Sequence, residues 1–135
     1  MAGYSGTPLP KKLGIKEKLR IAFVDLPADV KVELKDSITT CTLVKDGRAR
    51  VDFAMLFVKT QAELKKLFPR FAGRLTPVGM LWVSWPKKTS GVTTDMNEND
   101  VRRIGLEAGL VDVKVCAVNE VWSGLKFVIR VKDRT

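Results

Sequence analysis

VDFAMLFV (residues 51–58), TQAELKKLFPRFAGRL (residues 60–75) and GMLWVSWP (residues 79–86) follow one another and decide how the rest of the chain must be arranged. The first and third are apolar almost throughout, as strands are when both faces of their sheet are covered. Between them, Thr60 and Glu63 have the spacing of a capping box, in which each side chain can satisfy a backbone donor left over at a helix start. Leu64, Leu67, Phe68, Phe71 and Leu75 then fall along one face of a helix. Pro69 lacks an amide hydrogen and clashes one turn back, so a kink or a restart is expected there. Strand, helix and strand in this order imply two parallel strands joined by a crossover.

The flanking segments extend the pattern. RIAFVD (residues 20–25), ended by Pro27, reads as a buried first strand, and ADVKVELK as a brief helix with a weak apolar pattern. SITTCTLV has the β-branched content of a second strand, and KDGR, residues 45–48, reads as a turn. Asn97 is a good N-cap, with Glu98 and Asp100 in the first turn where the helix dipole favours them. Val101, Ile104 and Ala108 share a side of that helix, and Gly109 stops it. VDVKVCAV and LKFVIRVK alternate apolar with polar residues and are joined by NEVWSG, so they form an antiparallel hairpin with one wetter face. The expected fold is α/β: a three-layer Rossmann-like domain over residues 20–135, its sheet mostly parallel with a C-terminal antiparallel hairpin. Residues 1–19, rich in glycine, proline and lysine, are expected to form an irregular basic arm packed on the domain or trailing from it.

Composition narrows the chemistry. The chain has 135 residues and no histidine, which removes Ser-His-Asp and Cys-His nucleophile arrangements and the commonest metal ligand. Cys41 and Cys116 have no metal-ligand spacing and read as buried, reduced thiols. No apolar run is long enough to span a bilayer and no signal-like apolar region opens the chain, so a soluble cytoplasmic protein without a membrane partner is expected. The formal charge is +9, and within the first 20 residues Lys11, Lys12, Lys16, Lys18 and Arg20 face only Glu17. Such a balance favours anionic partners.

In an open α/β sheet, ligands bind outside the carboxyl ends of the parallel strands. WPKKTSGVTTD leaves one such end, Asp25 to Pro27 and Lys59-Thr60 leave others, and NEVWSG joins them if the strand before it is parallel. The candidate site therefore comprises Asp25, Trp85, Lys87, Lys88, Ser90, Gly91, Thr93, Thr94, Asp95, Glu120, Trp122 and Ser123. Lysines would supply charge, hydroxyls and loop amides would donate, Gly91 would permit close approach, and a tryptophan could stack a base or sugar. The competing reading is an ordinary loop, with Thr94 or Asp95 capping a helix and the tryptophans in the core. The expected function is non-catalytic binding of an anionic small molecule, a nucleotide or phosphorylated metabolite. No catalytic set, metal or cofactor is assigned. Nucleic-acid binding through the basic arm is the alternative, and self-association along the hairpin edge is a third possibility.

RLTPVGMLWVSWP, EAGLVDVKV and LKFVIRV resemble the second half of Rossmann-like methyltransferases, in which RLxPGG feeds a strand and EAGL or EAGF precedes a terminal hairpin. The resemblance covers residues 51–132 and implies their fold. Those enzymes hold S-adenosylmethionine on a glycine-rich turn after the first strand, whereas this chain has DLPADV, so the usual cofactor binding is not implied and any methyltransferase ancestry would be degenerate. YSGTPLPKKLGIK, WPKKTSGVTTD, AGLVDVKVC and NEVWSGLKFVIR are also similar to a family of small bacterial proteins of unknown function, which implies a bacterial cytoplasmic protein and no activity.

Overall fold

The computed structural model of the chain describes residues 6–134; the start of the arm, residues 1–5, and residue 135 lie outside them. The elements run α1 (Leu9–Leu13), β1 (Arg20–Val24), α2 (Ala28–Ile38), β2 (Thr42–Leu43), β3 (Val51–Phe57), α3 (Gln61–Ala72), β4 (Leu75–Pro86), α4 (Glu98–Glu107), β5 (Leu110–Ala117) and β6 (Trp122–Ile129). The strands form one sheet in the order β2-β1-β3-β4-β6-β5. β2, β1, β3 and β4 are parallel, while β6 pairs antiparallel with both β4 and β5. Helices cover both faces, giving the expected three layers.

Alternation along the strands divides the core in two. Ala54, Leu56, Leu81, Val83, Leu125 and Phe127 pack beneath α3 and α4. Phe53, Met55, Phe57 and Trp82 pack beneath α1 and α2 with Leu9, Leu13, Val30 and Leu34. Both strands of the deciding βαβ unit are buried on two faces, which is why they read as unbroken apolar runs. At the start of α3, Thr60 Oγ1 accepts from Glu63 N–H (3.1 Å) and Glu63 Oε1 accepts from Lys59 N–H (3.2 Å).

Several boundaries differ from the sequence expectation. Pro69 does not restart α3: it lies in the last turns, and the helix runs on to Ala72. SITTCTLV is not one strand, because Ser37 and Ile38 complete α2. Thr39 and Thr40 hydroxyls then donate back to Asp36 O (2.6 Å) and Ser37 O (2.8 Å), leaving Thr42–Leu43 as strand. β4 begins at Leu75 rather than Gly79. Its register with β3 jumps between Val51↔Leu75 and Phe53↔Met80, and the bulge takes up Pro77. β6 begins at Trp122 and ends at Ile129, because Asn119 rather than the whole of NEVWSG makes the bend.

The arm packs on the domain, and Leu9–Leu13 form helix α1 within it. Gly14, at φ +83, closes α1, and Leu9 and Leu13 are buried on the sheet. Trp82 Nε1–H donates to Leu13 O (2.9 Å), so a buried indole that needs an acceptor finds it in the arm.

Candidate functional site

Since β4 and β5 both oppose β6, β5 is parallel to β4, and the β5–β6 turn shares one edge with the carboxyl ends of β1, β3 and β4. Hydrogen bonds knit that edge together. Thr94 Oγ1 donates to Lys59 O (2.6 Å), Gln61 N–H to Asp95 Oδ1 (2.8 Å) and Lys87 N–H to Val121 O (2.7 Å). Asn119 Nδ2 donates to Asp29 Oδ2 (3.2 Å), joining the hairpin turn to the start of α2. The expected convergence of loops is therefore present.

Its members separate into distinct groups. Trp85, Lys87, Lys88 and Ser123 line a cavity of about 310 Å³ with Thr89, Met96, Asn97 and Glu98. Glu98 accepts from Arg102 Nη2 (2.8 Å), so its charge is balanced there. Thr94 and Asp95 hold the loop to α3, and Thr94 Oγ1 also accepts from Met96 N–H (3.1 Å). Ser90 Oγ donates to Lys87 O (2.6 Å) and accepts from Val92 N–H (3.2 Å), while Gly91, at φ +78, ends the short turn of residues 88–90. These three hydrogen-bonding side chains and the glycine shape the loop. Thr93 and Glu120 are exposed.

Both edge tryptophans are buried in the core, and Trp85 also lines the cavity. In register, Trp85 opposes Ser123 and Pro86 opposes Trp122, so alternation sends the two indoles to opposite faces. Trp85 joins the cluster under α3 and α4 at 5% exposure. Trp122 packs edge-on against Phe57, centroids 5.2 Å apart, at 9%. Asp25 is exposed and stands at φ +55, a left-handed position taken here by a residue other than glycine. Pro27 N-caps α2 with no side-chain bond, and Asp29 Oδ1 accepts from Val30 N–H (3.0 Å) within the first turn.

Sequence reasoning passed over Asn119 and Ser84. Asn119 Oδ1 accepts from Val121 and Trp122 N–H (2.9 Å each), an Asx turn that builds the bend. A polar residue ending an apolar run is its only signal in the sequence. Ser84, fully buried on β4, has a hydroxyl with no hydrogen-bond partner. Cys116 and Cys41 are free thiols, and burial pushes the Cys116 thiol up against the smaller opposing pull of Lys12, Lys114 and Lys87. No three His, Cys, Asp or Glu side chains among the described residues are gathered as a metal set, and no helix among them is long and apolar enough to cross a membrane.

With the sheet order and edge established, the fold is that of Rossmann-like methyltransferase domains. The chain is similar to a precorrin-6y C5,15-methyltransferase from Geobacter metallireducens (TM-score 0.60, 11% identity), covering 90% of this chain and 86% of that one. A ribosomal protein L11 methylase from Lactobacillus delbrueckii matches at TM-score 0.56 and 12% identity, over 90% of this chain and 75% of its own. The magnesium protoporphyrin IX methyltransferase of Synechocystis with bound SAH matches at TM-score 0.57 and 11% identity, over 90% and 78%. No protein-family model and no curated protein matches the sequence, so neither supports the likeness to the small bacterial family.

Proposed function

We propose that this chain is a non-methylating binding protein that holds an anionic small molecule at the carboxyl edge of its sheet. The observation that carries the reading is the cavity beside Lys87 and Lys88, closed by Trp85, Asn97 and the Ser123 strand. Lys87 and Lys88 among its lining residues attract negative charge, and the Ser123 hydroxyl offers a donor, while the Trp85 indole supplies an apolar wall. Against methylation stands the turn after β1. Asp25 and Pro27 occupy the place where the resembled enzymes have glycines, and Asp29 brings a carboxylate into the first turn of α2.

The test is a thermal-shift panel of phosphorylated and carboxylated small molecules against wild type and the Lys87→Ala/Lys88→Ala double variant. At least one compound is expected to raise the midpoint of the wild type, and the variant to fold normally without that response. A panel with no response in the wild type overturns the reading. The fold likeness favours a second one, a degenerate methyltransferase that retains S-adenosylmethionine; calorimetric binding of that cofactor would select it.

A further inference from the structure

A second cavity lies at the opposite margin of the sheet. β2 pairs with Arg20 and Ile21 alone, so Ala22 to Val24 of β1 extend past it without a strand on their outer side. The return from β2 to β3, residues 44–50, is a loop, although a parallel crossover usually carries a helix. The margin is left open between α2 on one face and the end of α3 on the other. The resulting cavity measures about 500 Å³, within the range of sites for small organic ligands.

Its chemistry is two-sided. Phe23, Leu26, Ile38, Val44 and Phe71 supply apolar walls. Lys31, Lys45 and Arg74 supply the charge, and no acidic side chain is among those lining it. Arg74 is fixed in place: Nε–H donates to Ala49 O (2.8 Å), Nη2–H to Asp46 O (2.7 Å), and the guanidinium carbon stands 4.9 Å from the Phe71 ring centre. Lys31 and Lys45 are exposed and take part in none of the ion pairs among the described residues, which all belong to Arg102 and Arg103.

We propose that this cavity binds an amphipathic carboxylate, a ligand with an apolar body and one anionic head. The body fills the space beside β1, replacing water on Phe23, Val44 and Phe71, and the head meets the three cations. A neutral apolar molecule would leave the cations without a counterion. A cation such as S-adenosylmethionine, which carries net positive charge, would be repelled by them. The site shares no lining residue with the cavity at Lys87 and Lys88, so it stands independently of that reading.

The experiment titrates the full chain with decanoate and with 1-naphthoate, one flexible and one rigid body, against 1-decanol, acetate and S-adenosylmethionine. Saturable thermal stabilisation and shifts of the Val44 and Leu26 methyl resonances are expected from at least one of the two apolar acids. Decanol and acetate should bind at least about tenfold more weakly, since each lacks half of the recognition. Lys31→Glu/Lys45→Glu changes only exposed side chains. It should keep the unliganded midpoint and weaken the acid by about tenfold or more. The Lys87→Ala/Lys88→Ala variant should bind the acid as the wild type does, which separates this site from the first. Absence of saturable binding by either acid, affinity indifferent to charge reversal, or S-adenosylmethionine shifting the same methyl groups would each overturn the proposal.

Discussion

Asn119 shows how much one side chain can hold. Its amide oxygen takes two backbone donors of the β5–β6 bend and its amide nitrogen reaches Asp29 across the edge, all at 8% exposure. Asn119→Ala leaves those two N–H groups without their acceptor and should cost about 2–3 kcal/mol in urea denaturation. Asn119→Asp keeps the acceptor but replaces the amide donor to Asp29 with a second carboxylate, so it should also destabilise the bend in the same denaturation series. Lys126 makes the opposite kind of contribution. Burial, then the neighbouring charges of Lys114 and Lys16, hold its pKa below the ordinary lysine value. The unfolded chain therefore binds more protons in the window between the folded and unfolded values, and stability rises with pH across it. Lys126→Met should raise the thermal midpoint at neutral pH and flatten that alkaline rise, as a midpoint series from pH 7 to the lysine range would record. A variant that keeps the wild-type slope would show that the rise belongs to other groups.

Helices and strands were legible where local patterning and tertiary demand coincided. α3 and the two strands around it carried a capping box, an apolar helical face and buried runs, and all three elements formed, although β4 opens at Leu75, ahead of its apolar run. The second strand was not legible, because β-branched content in SITTCTLV cannot reveal that the Thr39 and Thr40 hydroxyls turn back onto the end of α2. Nor could the sequence show that a Cβ at Gly105 would collide with the Phe127 ring; helix α4 needs that glycine for packing, not for a turn. At the edge, the sequence located the loop but not the direction of its side chains. Strand register, which puts Trp85 and Trp122 on opposite faces, depends on a partner far along the chain. WPKKTSGVTTD consequently serves as a structural clamp as well as a candidate site. Asp95 accepts at the start of α3 through Gln61 N–H, while Gln61 Nε2 donates to Asp95 O and Asp100 Oδ2. Asp95→Ala should cost about 1 kcal/mol, the usual worth of a side-chain acceptor at a helix start, and should speed amide exchange at Gln61. Exchange at Gln61 equal to that of the wild type would mean that Thr94 alone fastens the loop.

The assembled sheet explains why the basic arm cannot be treated as a detachable tail. Its charge suggested a segment that neutralises phosphates, yet Leu9 and Leu13 fill the core beneath the sheet and Leu13 O receives the Trp82 indole. Lys12 Nζ donates to Ala117 O (3.0 Å) and Lys114 Nζ to Lys12 O (2.9 Å), so the arm is also fastened to the outer strand β5. Those contacts occupy part of the edge along which two copies could otherwise pair, although Val113 and Val115 remain exposed at 54% and 46%. Removing the arm to test nucleic-acid binding would therefore confound two effects: losing lysines and unfolding the domain. Leu13→Ala alone, at a fully buried position, should cost about 2–5 kcal/mol, and truncation through Gly14 should abolish the cooperative transition. The clean test of the charge is Lys11→Glu/Lys16→Glu, both exposed, in a filter-binding titration over salt concentration. If the arm holds a duplex, the variant should bind more weakly and with a shallower salt slope at a melting midpoint no lower than that of the wild type. Equal affinity at equal stability would assign the arm to the core and leave the anionic partner to the two cavities.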